Sequence, residues 1–274
     1  MRTPLYLLIF ALLFAACGQK NPDPATHQCK HDSTDKKECF NADYMMMGVL
    51  YYQKAAETRA LYHQGFNLAK MLLEKDLKVK SAKTKAIVLD IDETILDNSP
   101  YEAQCILGNF SYPEKWDEWC QKAEATATPG AVDFLKYAES KGYQIFYISN
   151  RKAHLLDATL KNLSAQGFPM ADTTHVMLRT KESSKEARRL KVQEKHEVVL
   201  YFGDNLADFV DAFDGGLSTE VRAAKADSMK AVFGVRHIVF PNSMYGDWEM
   251  AFYPDPAAAP AAKDSARRAN LKGF

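Results

Sequence analysis

Carboxylates crowd one point of this chain. In AIVLDIDETILDNSPY (86–101) an apolar run empties into Asp90, Asp92 and Glu93, and Asp204 and Asp208 follow a second apolar run, EVVLYF at 197–202. Like charges held so close repel, so a positive partner must meet them. A calcium loop of the EF-hand kind starting at Asp90 would need Gly at 95 and Glu at 101, where Ile95 and Tyr101 stand. Helix capping by Asp92 or Asp97 accounts for one carboxylate, not for Asp90, Asp92, Asp204 and Asp208 together. Magnesium accounts for the set, being a hard cation that takes oxygen ligands and needs few carboxylates. With such an ion bound, repulsion between Asp90 and Asp204 becomes attraction to a shared charge. A free aspartate beside it can attack phosphorus and form an aspartyl-phosphate. A second carboxyl two residues along can give a proton to the leaving oxygen and later take one from water. That carboxyl must be protonated when substrate arrives, so mildly acidic conditions should help.

The elements that would carry these residues can be read from the pattern. Apolar runs AIVL (86–89), QIFYI (144–148), THVML (174–178), EVVLYF (197–202) and RHIVF (236–240) look like strands. Helix-like segments near 131–141, 154–166, 182–195 and 218–233 separate them. Continuous strand runs alternating with helices predict an α/β chain with a parallel sheet covered on both faces. Ligands of open parallel sheets bind beyond the carboxyl ends of the strands. Asp90 follows the first run, Ser149-Asn150-Arg151 the second, and Gly203-Asp204-Asn205 the fourth, so three polar clusters converge on one edge. Residues 44–75, with no proline, predict one long helix that either closes the site or packs against a second copy.

Asp90-Ile91-Asp92-Glu93-Thr94 is the D-x-D-x-T pattern of the haloacid dehalogenase superfamily. The longer pair, VLDIDETILDNSPY with LYFGDNLADF (200–209), resembles the two-part signature of class C acid phosphatases. The resemblance runs on through YPEKWDEWC, ISNRK, SSKEARR and NSMYGDWE, covering most of the chain. It implies a Rossmann-like core with a central parallel sheet, a smaller helical cap at about 100–128 and an N-terminal helix. It also implies a magnesium-dependent enzyme that removes phosphate from 5′-nucleotides and other monoesters. By this resemblance Asp90 is nucleophile and metal ligand, and Asp92 is general acid/base with its backbone carbonyl on the metal. Thr94 shapes the loop and, with Ser149 and Asn150, belongs to the phosphate site. Asp204 completes the metal ligands, with Asp208 beside it or behind it through water, unless Asp208 merely caps the helix that follows. A lysine should neutralise nucleophile and phosphate; Lys181 and Lys185 both stand near, and SSKEARR favours Lys185. Aromatic residues in matching segments form a base-stacking slot in the family, which favours Trp116 and Tyr245 as substrate contacts over Trp119 and Trp248. Arg151 reads as a surface ion pair.

The N-terminus MRTPLYLLIFALLFAAC has a basic residue, an apolar core too short to span a bilayer, and a cysteine. Ala15-Ala16-Cys17 resembles a bacterial lipobox, with Phe14 where leucine is usual, so residues 1–17 read as an export signal ending in lipidated Cys17. An envelope lipoprotein, on the outer membrane, is the expectation. Residues 18–42 read as a polar tether, 43–254 as the phosphatase domain, and 255–274 as a Pro/Ala-rich tail that frays or wraps the surface. In an oxidising compartment Cys29, Cys39, Cys105 and Cys120 allow three pairings, with proximity favouring 29–39 and 105–120, or remain buried thiols.

Composition excludes more than it proves. Lys+Arg and Asp+Glu balance at 35 each, which offers no basic field for a nucleic-acid polymer. No cysteine has an arginine six places on, as a cysteine-based phosphatase loop requires, and His237 sits in Arg-His-Ile instead of the R-H-G of histidine acid phosphatases. Two readings compete with hydrolysis: a non-catalytic surface lipoprotein on the same fold, and a phosphotransferase using the same residues with another alcohol as acceptor. Homodimerisation is left open by the long helical stretch.

Overall fold

The structure, a computed structural model, describes residues 42–274. The expected signal segment, Cys17, the tether up to residue 41, and Cys29 and Cys39 lie outside the described residues. Seven strands occur among the described residues: β1 (Thr84–Leu89), β2 (Leu96–Asp97), β3 (Thr126–Ala127), β4 (Gln144–Lys152), β5 (Val176–Arg179), β6 (His196–Gly203) and β7 (His237–Val239). The helices are α1 (Met46–Lys54), α2 (Ala56–Asp76), α3 (Ser99–Gly108), α4 (Trp116–Lys122), α5 (Ala131–Ser140), α6 (Leu156–Gln166), α7 (Glu186–Lys195), α8 (Thr219–Ser228), α9 (Asp247–Met250) and α10 (Pro260–Ala269).

Five strands form one parallel sheet in the order β5-β4-β1-β6-β7, while β2 and β3 pair antiparallel. Successive strand residues point to opposite faces, so the continuous apolar runs build two cores. Ile87, Leu89, Ile145, Tyr147, Leu200 and Phe202 join Phe66 of α2 and Phe134 of α5 on one side. Val88, Phe146, Ile148 and Tyr201 meet Val192 of α7 and Phe209 on the other. The architecture is thus α/β, with the parallel sheet covered on both faces. Register does the rest: Leu89 stands opposite Tyr147 on one neighbour and Phe202 on the other. Residues 90, 148–151 and 203–208 therefore emerge together at one sheet edge.

Two details differ from the sequence reading. The long helical stretch breaks at Ala55, whose ψ of 129° is extended, and the Thr58 hydroxyl reaches back to the Tyr51 carbonyl (3.0 Å) at the end of α1. The tail, read as fraying or wrapping the surface, forms α10 at residues 260–269, with Arg267 over the Tyr44 ring at 3.9 Å. Ala42, expected as the last residue of a tether, is buried at the start of the fold. Cys105 and Cys120 are free thiols in a small cluster with Tyr101, Phe110, Trp116 and Leu155. Burial pushes both thiols up to about 12, which makes them poor nucleophiles.

Candidate active site

Asp90 leaves β1 with its backbone N–H on the Phe202 carbonyl (3.0 Å), which fixes the turn to β6. The chain then needs Glu93 in the left-handed region (φ 58°) to fold back on itself. The Glu93 backbone carbonyl accepts from the Tyr62 hydroxyl of α2, itself bonded to Tyr52 of α1 (2.5 Å). Glu93's carboxylate, fully buried, accepts from the Asn98 backbone N–H (2.8 Å) and from the Tyr245 hydroxyl. Burial drives this carboxyl well above its ordinary range, with Asp92 and Asp204 adding to the rise. Glu93 is thereby the knot of the loop, a role the sequence reading did not give it.

Around Asp90 lies the acidic cluster. Oxygens of Asp90, Asp204 and Asp208 lie within 4.8 Å of one another. The Lys185 ammonium bonds Asp90 Oδ1 and Asp208 Oδ1 (2.6 Å to the latter), while Lys181 is exposed. Burial alone would lower Lys185, yet Asp208 and Asp90 outweigh it and hold the ammonium charged. Burial raises the Asp90 carboxyl; Lys185 opposes this, and Asp208 and Asp92 add to it. Asp204 is raised well above the usual carboxylate range by burial, then by Asp208 and Asp90. Three carboxyl groups share one ammonium, and the upward shifts of Asp90 and Asp204 mark a deficit of positive charge at the cluster. A divalent cation fits that deficit and the all-oxygen donor set.

Asp92's carboxylate does not join this cluster. Arg151 grips it with Nη2 at 2.8 Å and Nε at 2.9 Å, Asn98 Nδ2 donates at 2.8 Å, and the Ser149 hydroxyl at 3.1 Å. Arg151 is 2% exposed, so the surface-pair reading of this residue is corrected: it is buried in the site. Asp92 can thus reach a metal only through its backbone. Thr94 is buried too, its hydroxyl between Asp90 Oδ2 (3.4 Å) and Asp204 Oδ1 (3.5 Å). Asn150 is exposed at the edge, and Arg188 Nη2 donates to its Oδ1 (2.7 Å), which leaves its amide N–H groups as donors.

Asp208 has two jobs. Its Oδ2 accepts from the Asn205 backbone N–H (3.0 Å) as half of a capping box, while Oδ1 takes Lys185. Asp208 therefore caps the turn Leu206–Asp208 to which it belongs, not a helix that follows, while its other oxygen lies in the acidic cluster. Gly203 makes room: a Cβ there would sit 2.5 Å from Asp208 Cβ and Oδ2.

The aromatics separate into two places. Trp116 is buried in the cap cluster, edge-on to Tyr101 (5.0 Å), with the Arg151 guanidinium 5.7 Å from its ring centre. Trp119 donates to Asn98 Oδ1 (2.9 Å), one step behind Asp92. Tyr245 instead lines a cavity of about 240 Å³ with Asp204, Leu206, Arg222, Ala226 and Trp248. Trp116 and Trp119 thus support the acid's surroundings, and Trp248 shares the open wall with Tyr245. No local pattern in the sequence distinguishes these tryptophans, since the cavity forms only when α8 and α9 meet.

With this geometry in view, comparison with known proteins is specific. A profile for the HAD superfamily, subfamily IIIB (acid phosphatase), matches residues 12–248. The chain belongs to this acid phosphatase subfamily. It is 50% identical to the class C acid phosphatase from Bacillus anthracis solved with tungstate bound, covering 85% of this chain and 98% of that one at a TM-score of 0.83. A class B acid phosphatase of Aggregatibacter actinomycetemcomitans is 27% identical over 215 residues, 70% of this chain and 91% of that protein. Vegetative storage protein 1 of Arabidopsis thaliana is 27% identical over 152 residues, so the match spans 52% of this chain and 55% of its length.

Proposed function

We propose that this HAD-family acid phosphatase is a magnesium-dependent phosphomonoesterase of the cell envelope that acts on 5′-nucleotides and similar monoesters. The observation that carries it is the lone ammonium of Lys185 shared by Asp90 and Asp208 inside a buried three-carboxylate cluster at the sheet edge. Asp90, Asp204 and Asp208 would hold the metal, with the Asp92 backbone completing the protein's share. Bound there, magnesium supplies positive charge for phosphate oxygens and carboxylates alike.

The chain's own groups do the rest. Lys185 neutralises Asp90 and orients it; Asp90 attacks phosphorus as the ester P–O bond breaks. Asp92, fixed by Arg151, Ser149 and Asn98, hands its proton to the leaving oxygen. It then takes one from the water that splits the aspartyl-phosphate and frees Asp90. The Asn150 amide, set by Arg188, offers donors to the phosphate oxygens. An oxyanion analogue in the Bacillus anthracis relative is in keeping with such an anion site.

Tyr245 and Trp248 form an aromatic wall next to Asp204 where a base can stack, worth on the order of 1–3 kcal/mol and tolerant of base identity. An export signal with lipid on Cys17 would hold the enzyme at the envelope, where it would release nucleosides and phosphate. The test is phosphate release from AMP and p-nitrophenyl phosphate at pH 5 to 6, with and without magnesium, for wild type and Asp90→Asn. Metal-dependent turnover lost in the variant is expected. Full activity in chelator, or an active variant, would overturn the reading. Partition of phosphate to added alcohols at the expense of water would favour the phosphotransferase instead.

A further inference from the structure

The cavity beside the metal cluster contains a group that neither the catalytic cycle nor the stacking wall uses. Arg222, on α8, lines it together with Tyr245 and Trp248, and its side chain is only 11% exposed. Among the described residues its guanidinium donates no hydrogen bond. Asp247 Oδ2 stands 3.8 Å from Nη1, beyond hydrogen-bond reach, and the ring of Phe213 is 5.7 Å from Cζ. The guanidinium is thus held by an ion pair alone, which leaves its N–H donors open to a partner in the cavity. The cavity reaches from Asp204, in the metal cluster, to Arg222, so one leaving group can span both.

We propose that Arg222 is a specificity-determining residue that reads the edge of the leaving group. This rests on the phosphomonoesterase reading above. A guanidinium fork pairs bidentately with adjacent ring acceptors such as the O6 and N7 of guanine, whereas adenine puts an amino donor in place of O6. The substrate class favoured is therefore nucleoside 5′-monophosphates with a 6-oxopurine base. Tyr245 and Trp248 supply base-tolerant stacking, and Arg222 adds an ordered preference on top of it. Asp247 keeps the cation's position without occupying its donors.

The test compares kcat/KM for GMP, IMP, AMP and phenyl phosphate, whose ring carries no acceptor, in magnesium-loaded wild type and Arg222→Met. Wild type should favour GMP and IMP over AMP by roughly tenfold or more, the discrimination of one good bidentate pair. Arg222→Met, which keeps the packing length, should erase that preference through KM and leave kcat and phenyl phosphate turnover near wild type. Equal handling of GMP and AMP by wild type would overturn the proposal, as would a Met variant that loses all four substrates alike with an unchanged melting transition. Should the Met variant fail to fold, Arg222→Gln decides: its amide offers one donor and one acceptor, the pair that suits adenine N6 and N7, so the 6-oxopurine preference must fall. Retained preference in the Gln variant would overturn the assignment. Failure of wild type to hydrolyse even phenyl phosphate would instead remove the phosphatase reading itself.

Discussion

Removing the Lys185 ammonium would leave Asp90 and Asp208, both buried, without the cationic side chain that bridges them. Lys185→Met should therefore lower kcat by roughly a hundredfold or more, the scale of one lost electrostatic partner in a dry site. Steady-state kinetics with a circular-dichroism check would show it; an active Lys185→Met variant would remove the lysine from the mechanism. Arg151 asks a different question, because it holds the carboxylate of Asp92 and not that of Asp90. Arg151→Met strands the Asp92 carboxylate among neutral donors and should destabilise the fold by about 3–5 kcal/mol in denaturant unfolding. Arg151→Lys should not restore turnover, since one ammonium cannot reproduce the Nε and Nη2 grip at 2.9 and 2.8 Å. Unchanged stability in the Met variant would mean that Asp92 is held by Ser149 and Asn98 alone.

At the scale of elements, the turn after β6 is a tight joint. Gly203→Ala would drive a methyl into Asp208, forcing that side chain away from Lys185 and Asn205. A cost of about 1–3 kcal/mol is expected, with turnover reduced beyond what the stability change explains. A melting curve and kcat on the same preparation separate the two effects. The strands around this joint were legible in the sequence because runs such as AIVL and EVVLYF are buried on both faces and need no partner information to be recognised. Lys185 is preferred to Lys181 only on the SSKEARR match, and its contacts with Asp90 and Asp208 span distant parts of the chain. What was not legible depends on contacts between distant elements. The break at Ala55 has no glycine or proline to announce it and coincides with the Thr58 hydroxyl on Tyr51. Arg151 looks like any arginine at a strand end until Asp92, Asn98 and Trp116 close over it. The exchange of places between Trp116 and Trp248 follows from how α4 and α9 pack, which spacing along the chain does not encode.

Across the whole molecule, one buried carboxyl couples stability to acidity. Glu102 of α3 is 6% exposed, and burial, with Glu249 of α9 adding to it, pushes its carboxyl up to about 7. Tyr44, Tyr253 and Arg267 gather around the same place. In the unfolded chain Glu102 titrates near 4.3. Between about pH 4.3 and 7 the native state therefore holds a proton that the unfolded state has lost, so this group's contribution to stability falls as pH rises through that window. Below it both states are protonated and the full contribution remains. Glu102→Gln should flatten the decline in melting temperature from pH 5 to pH 8; a variant with the wild-type slope would clear Glu102 of responsibility. Chelation acts on the other buried acids. Without a divalent ion the Asp90, Asp204 and Asp208 oxygens repel, so EDTA should lower the melting temperature and added magnesium restore it by mass action.

The seam between the two ends of the described chain has a mechanical meaning. Arg267 of α10 lies over Tyr44, Gly48 accepts from the Ser243 hydroxyl (2.8 Å), and the same loop carries Tyr245 to Glu93. A pull on residue 42 is shared at once by α10, by the 243–245 loop and, through Tyr62, by the turn that sets Asp90. The turn that carries Asp90 is thus held from both ends of the described residues. A polypeptide cut before residue 243 keeps Asp90, Asp92, Asp204 and Asp208 and loses the Tyr245 contact that holds Glu93.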